Sequence, residues 1–237
     1  MTSFEKSFNN ILLYNLVKLS EKMLFDIPLV LKLVANNRHS QNRTRVIEWM
    51  KKVTFFFATY IVEEFFLIFL FDLQTFGVHF RDERDASIQI FDKVLLLTLA
   101  EDERKINDVN FLFHLAAASI IIACKLSDGN SHVSEVGIYN QHCQLLPLLI
   151  VSMITSISQA YFSGQLNVQV LRNFEREILA TSRCSISTQC TPINFARCLM
   201  KINPVGENVD QVMDTVDTLL SEFWEGHTLS LFLSYIH

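Results

Sequence analysis

Residues 111–126 read FLFHLAAASIIIACKL. The stretch Phe111–Leu126 is apolar on every side for about four helical turns, and Lys125 arrives only near its end. A surface helix carries one apolar stripe, so a helix that is apolar all round has other helices on its sides. Ala116, Ala117, Ala118, Ser119 and Ala123 are small and let neighbouring backbones come close. With about 14 residues before the lysine, the run is short for a bilayer crossing, which takes about 20. It predicts the central helix of an all-α bundle, with the Lys125 ammonium emerging at its exposed end.

The rest of the composition fits helices. Half of the 237 residues are hydrophobic, ample for a core, while six glycines and four prolines are too few for a turn-dense all-β layout. A net charge of −5 leaves no basic footprint for nucleic acid. The five cysteines (Cys124, Cys143, Cys184, Cys190 and Cys198) are odd in number and form no CxxC pair, against a disulfide framework and against a zinc site. The opening MTSFEKSFNN lacks the uniform apolar core of a signal peptide. Reduced thiols in the nucleus or cytoplasm are the expectation.

Apolar periodicity places helices along most of the chain. Ile11–Val34 holds two helical stretches, with Pro28 near the start of the second. Asn36–Asn42 reads as a polar break, and Arg43–Val53 as a helix with Val46, Ile47, Met50 and Val53 on one face. Ala86–Leu99 is amphipathic, and Asp82 and Asp85 lie near its expected start, where carboxylates suit the helix dipole. Glu101–Asp108 reads as a charged loop and Ser127–Ser131 as a turn. Further helices are predicted at Val133–Asn140, Leu166–Thr181, Ile193–Ile202 (opened by Thr191-Pro192), Val209–Trp224 and Thr228–Ile236.

Two segments stand apart. Thr54–Phe71, TFFFATYIVEEFFLIFLF, is crowded with phenylalanine, and Gln144–Ile157 is QLLPLLIVSMITSI. Both have the hydropathy of membrane spans. Glu63 and Glu64 at the centre of the first oppose insertion, each by about 3 kcal/mol on the scale of other buried charges. The second is short and holds Pro147.

Five motifs in order bring a family into view. Arg43-Thr-Arg-Val-Ile-Glu-Trp-Met-Lys-Lys-Val53 resembles the opening helix of the cyclin box. Gln89-Ile-Phe-Asp-Lys-Val-Leu95 is similar to its second helix, and Leu115–Lys125 to its small, apolar third helix ending in lysine. Phe174-Glu-Arg-Glu-Ile-Leu179 resembles the fifth helix, and Ile186–Phe195, ISTQCTPINF, the passage leaving the first box. The resemblance covers most of Asn42–Phe195. Val212–His237 is weakly similar to the first helices of a second box.

The resemblance implies a cyclin-like five-helix bundle followed by an incomplete second helical bundle. Residues 1–41 would form an N-terminal helical extension, 42–196 the first box and 197–237 a partial second fold. It implies that Arg43 and Asp92 form a structural ion pair, and that Lys125 and Glu175 face a kinase, with Glu177 competing for the glutamate role. A substrate-docking patch would lie at Val46 and Trp49, although Arg45 occupies a normally apolar position there and Trp49 also reads as core. The box leaves no room for 54–72 or about 144–157, so each is either a real insertion or a retained intron translated in frame. The C-terminus reads as truncated.

The function implied is that of a non-enzymatic regulatory subunit in cell-cycle control. Its partner would be a cyclin-dependent serine/threonine protein kinase, with no nucleic acid, no membrane, no small-molecule substrate, no cofactor and no metal. A GxGxxG, Walker loop, HExxH or GxSxG signature is missing from the sequence. His114 reads as a hydrogen-bonded core histidine, and Cys124 beside Lys125 has no base positioned by sequence. Two alternatives are a multi-helix membrane protein using the two apolar segments, and a cyclin-fold adaptor that does not activate a kinase.

Overall fold

The computed structural model describes residues 14, 27–66, 73–128, 168–183, 186, 191–202 and 209–224, with the helical path alone for 27, 34, 56–66, 73–82, 127–128, 201–202, 209–210 and 221–224. The described helices are α1 (Ile27–Ala35), α2 (Asn37–Phe66), α3 (Leu73–Glu101), α4 (Glu103–Ile106), α5 (Val109–Asp128), α6 (Val168–Thr181), α7 (Pro192–Ile202) and α8 (Val209–Trp224). The protein is all-α: there is no strand among the described residues.

Side chains set several of the helix ends. Asn36 Oδ1 accepts from the amides of Arg38 and His39 at 3.1 and 3.3 Å and so caps α2. Asp102 does the same for α4, accepting from Arg104 N at 3.1 Å, and Asp108 for α5, accepting from Asn110 N at 2.9 Å. Thr191 caps α7, whose first residue is Pro192, where a missing N–H costs nothing.

Helix α5 is the wrapped one. Every residue from Leu115 to Cys124 is buried, and α2, α3 and α6 pack against it. The one hydroxyl in this stretch is satisfied within the helix, Ser119 Oγ donating to Leu115 O at 2.8 Å. Trp49 of α2 meets Phe113 edge to face at 5.4 Å. Ile47, Met50, Ile88, Phe91, Leu95 and Leu112 complete the interior from three helices.

Four expectations change. The wrapped helix starts earlier and runs 20 residues, so its length alone would reach across a bilayer. It is the one described helix long and apolar enough to do so, and 67% of Val109–Leu126 is buried inside the bundle. The polar break at Asn36–Asn42 shrinks to Asn36, because His39, Asn42 and Arg43 sit at inward positions with spacing i, i+3, i+4. Helix α3 begins at Leu73, so Asp82 and Asp85 lie in mid-helix and not at a positive helix end. As far as Phe66, the Phe-rich segment is not a separate element: α2 continues without interruption from Arg43 through Phe66.

In place of a loop, Glu101–Asp108 contains the single turn α4. Helix α7 spans the expected boundary at 196/197 and packs on both α3 and α8. The helices expected at Val133–Asn140 and Thr228–Ile236, most of Ile11–Asp26 and the apolar segment 144–157 lie outside the described residues.

Candidate protein-interaction site

Arg43 on α2 and Asp92 on α3 meet in a bidentate pair, Nε to Oδ1 at 2.7 Å and Nη2 to Oδ2 at 2.6 Å. Both side chains are nearly sealed from water, at 9% and 8% exposure. Two parallel charge-assisted bonds fix the relative register of the helices as well as their separation. The neighbouring Asn42 Nδ2 donates to Ile106 O at 3.5 Å, so α2 also holds α4 in place.

The end of α5 carries the second pair. Lys125 Nζ donates to Glu175 Oε2 on α6 at 2.7 Å. The lysine side chain is 44% exposed and the glutamate 17%, so the pair lies at the rim of the bundle. Glu177 takes a different partner, Lys105, at 3.3 Å. The two glutamates that sequence left in competition are thereby separated: Glu175 is the one at Lys125.

Between these pairs lies an aromatic surface that the sequence did not mark. His114 stacks on Phe174 at 5.3 Å with 17° between the rings, and its Nδ1–H donates to Asn110 O at 2.6 Å. Phe111 lies 5.5 Å from Phe174, and Lys105 Nζ stands 5.5 Å from the Phe111 ring centre. His114 is thus half-exposed at the α5–α6 edge, not interior. No local window reveals this cluster, because Lys105 and Glu177 are 72 residues apart.

Val46 and Trp49, expected to form a docking patch, are at 0% and 2% exposure. They face α5, and the outward stripe of this part of α2 is Gln41, Arg45, Glu48 and Lys52. A helix cannot present one residue to the core and to a peptide at once, so the outer surface here is polar. Among the described residues there is no group of three or more metal-ligating side chains. Cys124 and Cys198 are buried.

A further ion pair joins α3 to α8. Arg84 Nη2 donates to Asp217 Oδ1 at 2.6 Å, and Arg84 Nε to Asp85 Oδ1 at 3.0 Å. Burial alone would disfavour the Arg84 cation, but Asp85 and then Asp217 outweigh it and push its pKa up. Burial likewise pushes the Lys93 ammonium on α3 down.

No protein family, curated protein or solved structure matches this chain.

Proposed function

We propose that the chain is a cyclin-like regulatory subunit that binds and activates a cyclin-dependent protein kinase in the nucleus or cytoplasm. The observation that carries this reading is the Arg43–Asp92 clamp against α5. The sequence resemblance requires those two side chains, 49 residues apart, to meet. Lys125 and Glu175 add support, since they come together at the rim of the wrapped helix, where the resemblance places the kinase contact.

A regulatory subunit works by binding one state of its partner better than another, so that the favoured state becomes dominant. Lys125 is suited to this, with an ammonium half in water and an apolar stem against the bundle. Desolvated charged anchors of this kind set interface register more than they add affinity. The test is co-purification of the full chain with a cyclin-dependent kinase, followed by titration of Lys125→Ala and Glu175→Ala. The expected result is at least tenfold weaker binding for each, with parallel loss of kinase activation. A kinase complex unchanged by both substitutions overturns the site assignment, and binding without activation makes the chain an adaptor.

One observation favours a second reading, attachment to a membrane. Helix α2 continues into the Phe-rich run, and Phe55 near the start of that run is 69% exposed. Fractionation distinguishes the two: a membrane-attached chain stays with the lipid pellet after a high-salt wash, whereas a cyclin-like subunit leaves it.

A further inference from the structure

Over Gln211–Leu220, its described side chains, helix α8 lies on the molecule without a deep anchor. None of these is fully buried, and Leu219 is 59% exposed. Leu220 is its apolar contact with the core, and its main packing neighbour is α7. Helix α7 is held differently, through buried Ile193 and Cys198. Beside this apolar hold stands a short, largely buried polar contact, Arg84 Nη2 to Asp217 Oδ1 at 2.6 Å, with side chains only 16% and 18% exposed.

We propose that Arg84 is a charge latch whose contact with Asp217 sets whether α8 lies on α3 or lifts away, while the rest of the bundle stays folded. The geometry gives the latch two properties. Asp85, at 0% exposure, holds the Arg84 guanidinium at 3.0 Å whether or not α8 is present, so the donor is already oriented for Asp217. When α8 lifts, Arg84 keeps Asp85, so the bundle is not left with an uncompensated cation, and Asp217 regains water. The penalty that makes breaking a buried ion pair so costly, an orphaned interior charge, is therefore avoided. The Arg43–Asp92 pair has no such relief, because both its partners belong to sealed core helices. A helix with shallow packing and a releasable ion pair belongs to the low-stability end of a fold. The inference holds whether or not a kinase is the partner.

The experiment is amide hydrogen exchange on the full chain, comparing 209–224 with the wrapped helix 109–128, in wild type and Asp217→Asn. The expected result is that exchange in α8 rises by roughly tenfold in the variant while α5 is unchanged. Raising NaCl from about 50 to about 500 mM should also speed α8 exchange in wild type, and should do so far less in Asp217→Asn, since screening acts on a pair that opens to solvent. Unchanged α8 exchange in Asp217→Asn overturns the latch. Equal acceleration of α5 and α8 also overturns it, because α8 is then part of the global unit. If a substitution weakens the whole chain, wild type decides by salt alone: α8 accelerating while α5 holds supports the latch, and no change refutes it.

Discussion

Removing the Arg43 guanidinium leaves the Asp92 carboxylate inside the bundle with its bidentate partner gone. Arg43→Met is therefore expected to cost about 3–5 kcal/mol in a urea titration. Arg43→Met combined with Asp92→Leu is expected to recover most of that loss, because two apolar side chains of similar size replace both charges together. If the double variant is as unstable as the single one, the pair does more than neutralise itself. At this scale the sequence was informative in one direction only. Opposite charges at Arg43 and Asp92 could be paired by resemblance, but the Lys105–Glu177 and Arg84–Asp217 contacts, 72 and 133 residues apart, leave no trace in any local pattern.

Among the described elements, α4 is the smallest, and its cap is a titrating carboxylate. Its cap Asp102 is held below the usual carboxylate range, first by the Arg104 side-chain hydrogen bond and then by the Arg104 amide. A lowered folded pKa means stabilisation that is present above the ordinary aspartate value of about 4 and is lost as pH falls through the folded value. Amide exchange at 103–107 in wild type is thus expected to accelerate below about pH 4 beyond its intrinsic pH dependence. Asp102→Asn, which keeps the cap acceptor but cannot titrate, is expected to remove that acid-side acceleration. Glu103 behaves alike on account of its hydrogen bond from Lys32, the contact that ties α1 to α4. Helix α5 was legible because burial on all sides leaves a composition that no other environment tolerates. Helix α7 was legible because Thr-Pro fixes a start. The beginning of α2 was not, because His39, Asn42 and Arg43 are polar residues in core positions, and burial of the latter two is offset by partners 64 and 49 residues away.

Across the molecule, the buried core among the described side chains draws on Leu33–Val53 and on residues from Asp85 onward, with Thr54 buried and Phe55 exposed at the start of the Phe-rich run. Deleting 54–72 would join Val53 to Leu73, leaving the 12 residues 73–84 to bridge α2 and the core part of α3. Twelve residues reach up to about 40 Å when extended, enough to cross the bundle. The shortened chain is expected to melt cooperatively and to aggregate less than the full chain, as measured by calorimetry and light scattering. Loss of the cooperative transition would show that the 54–72 segment is integral to the fold.

The wrapping of α5 also has a temporal side. Its residues are complete at position 128, but α6, which covers one of its flanks, begins 40 residues later at Val168. At about 5–20 residues per second, a translating ribosome needs roughly 2–8 s to make that interval. Until α6 is made, the flank of this greasy rod that it will cover lacks that cover, so the interval is one in which a chaperone can shield apolar surface on the nascent chain.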